Sequence, residues 1–289
     1  MFINTLKTVL FLVILSSIFL VIGTFLGGTH GLIMAFFIAL FMNGFAYYFS
    51  DKLVLKIYKA KPLSHHEHFV VHSIVRELSS TMNIPVPNVY VIQSSMANAF
   101  ATGRSPSHAS IAITTGLINL LEDHELRGVI AHELSHIKNR DILIATIAAT
   151  IATAIGYLAH MAYYAGIFRS FSNRKRSNPI GLLLISILTP LAASLVQLAI
   201  SRSREFIADE SGARYTQDPL ALASALKKIK NNVSVSHFGK RDGYRASTAS
   251  LFIINPFKGQ SWINLFATHP PIDARIAKLH KLYEKNILL

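Results

Sequence analysis

The chain has no cysteine, which excludes disulfides, thiolate metal sites and a thiol nucleophile together and fits a reducing compartment. Charge is scarce as well. Only 15% of the 289 residues are Asp, Glu, Lys or Arg, against 51% hydrophobic, whereas a typical soluble domain is about 25% charged. That balance excludes an ordinary water-soluble globule and points to a membrane protein. Acid is the scarcer sign, 15 residues against 28 basic, for a formal net charge of +13. A surplus of that size raises the question of nucleic acid, but the basic residues are dispersed and no nucleic-acid motif occurs. Anionic lipid headgroups at a cytoplasmic surface account for them. Repeats and low-complexity tracts are absent too.

What the chain has in their place is long apolar runs. From Thr8 to Ser50 there is no Lys, Arg, Asp or Glu, and the run is broken once, around Gly27, Gly28 and Gly31. Thr8–Leu26 and Leu32–Phe49 are each long enough to cross about 30 Å of hydrocarbon at about 1.5 Å per residue, so residues 1–50 are expected to form a transmembrane hairpin. The first run is longer than the apolar stretch of a signal peptide, and a second follows at once. Two more charge-free runs, Ile142–Phe168 and Pro179–Ile200 with Pro190 inside, form a second hydrophobic pair within residues 142–200. His160, in the third run, reads as a packed or helix-end histidine.

Lys7 precedes the first run, Lys52, Lys56, Lys59 and Lys61 follow the second, and the turn between carries no charge. By the positive-inside rule both flanks are cytoplasmic. The expectation is a multi-pass membrane protein, in contact with the lipid bilayer and with its chemistry facing the cytoplasm. The loop carrying Arg169, Arg174, Lys175 and Arg176 breaks the scheme. Either the second hairpin violates the charge bias or it does not fully traverse the bilayer; both alternatives stand.

The chemistry starts at His132, Glu133, Leu134, Ser135 and His136. On a helix His132 and His136 lie one above the other, so both imidazoles reach one ion, while Glu133 lies about 100° round, beside it. That is where a base must sit to take a proton from an attacking water, and neutral imidazole nitrogens favour zinc. With 13 His and 8 Glu in the chain, about 0.02 chance matches to this pattern are expected. A helix is expected independently: Leu126, Val129, Ile130, Leu134 and Ile137 make an apolar stripe, and Glu122, Asp123 and Glu125 crowd the start, where the helix dipole favours acid.

A catalytic zinc of this type takes a third protein ligand from further along the chain. Glu205 is the candidate. Asp209, four residues on and on the same face, is placed to accept the spare N–H of a ligand histidine and fix its tautomer.

Around these motifs the chain reads as α+β and mostly helical. Residues 51–141 and 201–289 form the catalytic parts, combined with transmembrane helices at 1–50 and 142–200. Strands are expected at Asn88–Ile92, Ala109–Thr114 and Asn98–Ala101, from their β-branched content. Helices are expected at Ser64–Met82, Asp123–Asn139, Ser203–Tyr215, Pro219–Asn231 and Pro271–Lys285. Val233–Thr268, with the only tryptophan, Trp262, reads as a long loop.

Four motifs occur together and in order: His132 to His136, Ser201 to Asp209, Asn98 to Gly103 and Thr268 to Arg275. With the pattern of apolar runs, the chain resembles the HtpX-type membrane zinc endopeptidases, bacterial relatives of the prenyl-protein protease Ste24. The resemblance implies a zincin-like metalloprotease domain with a small β-sheet and one zinc ion per chain on His132, His136 and Glu205. It implies Glu133 as general base and Asp209 as a partner behind the ligands. His269, with Arg275 behind it, resembles the pair that steadies the oxyanion in relatives. It further implies cleavage of misfolded or damaged membrane proteins, a stress-response and quality-control role, with unfolded polypeptides as substrates and no nucleic acid. A processing protease of the prenyl-peptide type, and a zinc-stabilised transporter or scaffold without enzymatic activity, are the alternatives.

Asn98, Ala99, Phe100 and Ala112 lie in small-residue segments before the zinc helix. They are expected to bind substrate if their strand is an edge, through main-chain hydrogen bonds common to all peptides. In the stretch His65, His66, Glu67, His68 and His72, the i,i+4 pair of His68 and His72 has no base between its members, and the stretch reads as a solvated helix start. Gly103, Arg104, Ser105 and Pro106 do not make a serine nucleophile elbow.

Overall fold

The computed structural model describes residues 2–64, 68–143, 145–147, 202–235 and 270–287. Most of the third apolar run, the whole of the fourth, His269, Trp262 and residues 65–67 lie outside the described residues.

Helix α1 (Phe2–Ile57) is two arms joined at Gly27 and Gly28, where Gly28 has φ 53° and ψ −135°, a combination essentially open to glycine alone. The arms fold back on each other. Asn43 Nδ2 donates to Ser16 Oγ at 2.7 Å, and a Cβ on Gly23 would lie 2.5 Å from the Gly31 carbonyl oxygen, so the crossing needs glycine. Among the described residues one helical stretch, Gly27–Phe49, is long and apolar enough to cross a membrane, where the sequence leads one to expect two. Its surface is apolar, with Ile33, Phe36, Phe37, Leu40 and Phe41 all exposed.

The described residues beyond α1 are built on a four-stranded mixed sheet of order β1-β2-β4-β3. β1 is Lys61–Pro62, β2 Asn88–Ile92, β3 Ala99–Gly103 and β4 Ala109–Thr114. β2 runs parallel to β4, while β1 on β2 and β3 on β4 are antiparallel. Strand alternation sorts the side chains onto two faces. Val89, Val91, Ala99, Ala101, Ile111 and Ile113 enter the main core. Tyr90, Ile92, Phe100 and Ala112 face Val54, Leu55 and Tyr58 at the end of α1, which ties the apolar arm to the sheet.

The main core is shared by α2 (Phe69–Thr81), α3 (Thr115–Leu120), α4 (Asp123–Lys138), α5 (Arg202–Thr216), α6 (Pro219–Val235) and α7 (Ile272–Ile287). Leu78, Ile111, Ile130, Leu134 and Leu226 are fully buried in it, each contributing about 1.5–3 kcal/mol of apolar burial. The residues before 142 and after 201 thus make one core. α4 begins with the Glu122 N–H donating to Glu125 Oε2 at 2.9 Å. Glu125 also receives Lys228 Nζ and Ser224 Oγ from α6, so one buried carboxylate caps α4 and pins α6 to it.

Several expectations shift. α2 starts at Phe69, not Ser64, and α6 runs to Val235, so the first three residues of the expected loop from Val233 are helical and the rest of it lies outside the described residues. β1 and α3 are additions. α3 is started by Thr114, whose Oγ1 accepts the Leu117 N–H at 3.2 Å.

Candidate metal centre and catalytic site

His132 and His136, one turn apart on α4, turn their Nε2 atoms to within 3.3 Å of each other. Glu205 on α5 closes the triangle, with Oε1 3.5 Å from His136 Nε2 and Oε2 3.6 Å from His132 Nε2. Ligand atoms bound tetrahedrally at about 2.0–2.1 Å stand about 3.3–3.4 Å apart; the two histidine nitrogens match this, and with one Glu205 oxygen all three ligand atoms lie within 4.8 Å of one another. This is the one group of at least three His, Asp or Glu side chains among the described residues that is arranged to hold a metal ion.

Each ligand histidine has a carboxylate at its other nitrogen. Asp209 Oδ1 lies 3.0 Å from His132 Nδ1, and Asp141 Oδ2 lies 3.3 Å from His136 Nδ1. A proton held at each Nδ1 leaves the Nε2 lone pair turned toward the centre. Asp141 arrives because Arg140, in the left-handed region at φ 58°, turns the chain back so that the Asp141 N–H reaches the His136 carbonyl at 3.0 Å. A residue with a Cβ costs about 1–2 kcal/mol there. Sequence reasoning missed Asp141: five residues past His136 and beyond the helix, it matches no helical spacing.

Arg275, on the first turn of α7 and wholly buried, donates from Nε to Asp209 Oδ2 at 2.8 Å and from Nη2 to Asp209 Oδ1 at 2.6 Å. Its Nη1 is 3.7 Å from Glu205 Oε2. Burial alone would raise the Asp209 carboxyl, but Arg275 and His132 hold it down to about 2. Burial likewise works against the Arg275 cation, and Asp209, Glu205 and Glu133 hold it more firmly protonated than usual. The expected place of Arg275 behind His269 involves a residue outside those described; its described partners include Asp209, Glu205 and His132, whose Nε2 lies 3.4 Å from Arg275 Nη2.

Glu133 is buried with Oε2 accepting the Ala101 N–H at 2.9 Å. Burial pushes its carboxyl above the ordinary range and Glu205 adds to this, while His132, His136 and the Ala101 N–H pull the other way. Burial works against a cationic His136, yet Asp141, Glu205 and Glu133 raise it to about 9. The surplus of carboxylates that draws a proton onto His136 draws a divalent cation for the same reason.

Two small features let these parts meet. On α5, Glu205, Asp209 and Gly212 share the face against α4, and a Cβ on Gly212 would lie 3.0 Å from the His132 backbone nitrogen. β3 is an edge strand of the sheet, with all five of its residues buried. The Thr114 N–H donates to the Asn98 carbonyl, so by antiparallel alternation the main-chain groups of Asn98, Phe100 and Thr102 face β4 and those of Ala99, Ala101 and Gly103 face the open side, where the Ala101 and Gly103 N–H groups donate to Glu133 and Thr146. Ala112, on β4, is paired with Phe100 on one side and Tyr90 on the other. The Phe100 side chain is buried, its ring 5.4 Å from that of Tyr58. Of the four residues expected at a substrate edge, only Ala99 turns its main chain to the open side. Ala101 joins it, which sequence reasoning did not include. His72, in the histidine-rich stretch set aside above, bonds the Leu63 carbonyl through Nε2 at 3.1 Å.

Residues 66–283 match the model of Peptidase family M48. A "Protease HtpX homolog" of Sulfurihydrogenibium sp. (strain YO3AOP1) is 46% identical over 289 residues, covering 98% of this chain and 97% of the relative. One of Thermodesulfovibrio yellowstonii is 49% identical over 281 residues, covering 96% and 98%. The crystal structure of S. mikatae Ste24p is similar in fold at 22% identity and a TM-score of 0.51, covering 91% of this chain and 61% of that protein.

Proposed function

The chain belongs to peptidase family M48 and is a metalloendopeptidase, and from that premise we propose that it is a zinc-dependent, multi-pass protease of the bacterial cytoplasmic membrane that cuts membrane-bound and unfolded polypeptides on the cytoplasmic side. The observation that carries the reading is the meeting of His132, His136 and Glu205 at zinc-like spacing with a buried Glu133 beside them. The apolar stretch Gly27–Phe49, followed at once by Lys52, Lys56, Lys59 and Lys61, supports the location. The quality-control and stress roles rest on the resemblance to the HtpX-type enzymes.

His132, His136 and Glu205 hold one zinc ion per chain, oriented by Asp209 and Asp141. Zinc, when bound, lowers the pKa of a water at the site and polarises the carbonyl to be cut. Glu133 takes a proton from the attacking water as the new C–O bond forms and returns it to the leaving amine as the C–N bond breaks. Its raised affinity for a proton suits both steps. The Ala101 N–H holds its carboxylate in place between them. His269 steadies the oxyanion. The main chain of Ala99 and the carbonyl of Ala101, whose N–H is taken by Glu133, offer the substrate main chain an antiparallel partner, so affinity comes from groups every peptide has.

The test uses the purified full chain with unfolded casein as substrate, with and without a chelator. Glu133→Gln is expected to abolish cleavage and keep the zinc, while Glu205→Ala loses much of the zinc. Zinc lost from the first and kept by the second would reverse base and ligand. Casein left intact by the zinc-loaded parent would remove the protease reading.

A further inference from the structure

Two sets of contacts place one end of the edge strand at the bilayer surface. The last turns of the apolar arm carry Tyr47 and Tyr48, both exposed, where aromatic residues mark the interface of a span. The Arg104 guanidinium, directly after β3, lies 5.3 Å from the centre of the Tyr48 ring, and Lys52 Nζ lies 5.6 Å from that of Phe49. Cations stacked on interfacial aromatics suit the level of lipid headgroups. Separately, the Gly103 N–H donates to Thr146 Oγ1 at 3.4 Å, and Thr102 Oγ1 lies 3.0 Å from the same atom. Thr146 belongs to the charge-free run that opens at Ile142. Two apolar segments far apart in the sequence therefore converge on the Gly103 end of β3.

The depth of the catalytic group follows. Val54, Leu55 and Tyr58 pack against Phe100 and Ala112, so the arm and the sheet are joined directly. Tyr48 to Val54 spans about 9 Å of helix at about 1.5 Å per residue. Arg104 back to Ala101 spans about 10 Å of strand at about 3.3 Å per residue. The Ala101 N–H holds Glu133, so the proton-transferring carboxylate is met about three extended residues along the strand from Arg104.

We infer that this protease acts on polypeptides anchored in the bilayer and cuts them next to the membrane, about three to six residues from the point where they leave it. The inference rests on the protease reading above and on substrate pairing along β3. A tail emerging at the Arg104 end lies beside Ala101 and Ala99 without having to search for them. Bonds further along must loop back, and their effective concentration falls roughly as the −3/2 power of the tether length. A tenfold longer tether is thus cut about 30-fold less often. A soluble unfolded chain still reaches the same edge, with no preferred position.

The test places the full chain, zinc-loaded, in vesicles of phosphatidylglycerol and phosphatidylcholine. The substrate has one apolar span followed by a tail of identical repeats, so every repeat offers the same bonds, and cuts are mapped by mass spectrometry. Unfolded casein is offered to the same vesicles. The expected result is cleavage concentrated in the first repeat, with frequency falling about 30-fold for each tenfold increase in distance. Casein cut while the tail is cut evenly, or not at all, overturns the inference and leaves the protease reading standing. If neither is cut, the protease reading fails and the inference falls with it.

Discussion

Asp209 does two things at once, and removing it separates them. It orients His132 through Nδ1 at 3.0 Å, and it is the main counter-charge of Arg275, which is wholly buried. Asp209→Ala leaves a buried guanidinium without its two short hydrogen bonds, its nearest remaining carboxylate being Glu205 at 3.7 Å. Breaking a buried pair from one side costs about 3–5 kcal/mol of stability, and losing the partner of a ligand histidine costs about 10–100-fold in metal affinity. The double variant Asp209→Ala, Arg275→Met removes the stranded charge but not the orientation defect. It should recover most of the stability, read by thermal unfolding in detergent, while zinc affinity, read by competition with a chromophoric chelator, stays about 10–100-fold weak. If zinc affinity recovers along with stability, Asp209 serves only to neutralise Arg275. If the single variant binds zinc like the parent, the hydrogen bond to His132 has no role in holding the metal.

Ala99→Pro deletes a donor on the open side of the edge strand and leaves the β3–β4 ladder intact, so the folded, zinc-loaded variant should cleave all substrates more slowly alike. Ala112→Pro, between two strands, should not fold; parent-like cleavage by the first, or parent-like stability of the second, refutes the assignment of the edge. Gly212→Ala sets a methyl 3.0 Å from the His132 nitrogen, and pushing α5 off α4 should cost about 1–3 kcal/mol and weaken zinc binding; an unchanged unfolding midpoint and zinc affinity would show the approach is not tight. In metal-stripped protein, Asp209 is held down to about 2 from an ordinary 3.8. A depressed carboxyl contributes stability that is whole above its unfolded value and is lost as pH falls through its folded one. Glu125, which burial alone would raise, is also lowered, by Lys228, Ser224 and the Glu122 N–H, so both act with the same sign. The thermal midpoint should fall between about pH 4 and pH 2, and less steeply in Asp209→Asn; equal slopes would exclude Asp209.

Parts of this arrangement that are local in the chain were legible in it. β2 and β4 start and stop where their runs of Val89, Val91, Ile111 and Ile113 do, because alternating β-branched residues report directly on a half-buried strand. α4 announces itself by its acidic start, its stripe and its ligand spacing. The side chains of Asp209 and Glu205 share a helix face that spacing alone reveals. Legibility ends where an approach depends on two elements at once. Asp141 reaches His136 only through the left-handed turn at Arg140. Which of β3 and β4 forms the edge depends on strand order, which neither segment encodes by itself. Gly212 matters only because His132 lies across from it, and β1, two residues long, is too short to show a pattern.

The charge pair between Asp209 and Arg275 has a consequence for the birth of the enzyme. α4 leaves the ribosome first, and Arg275 follows His136 by 139 residues; at roughly 5–20 residues per second that is on the order of ten seconds of translation. Glu205 and Asp209 are made about halfway through that interval, and until its end Asp209 lacks its counter-ion and α7 has yet to dock, so the site stays unfinished. The order of synthesis thus ties completion of the metal centre to the docking of α7, near the end of the described chain.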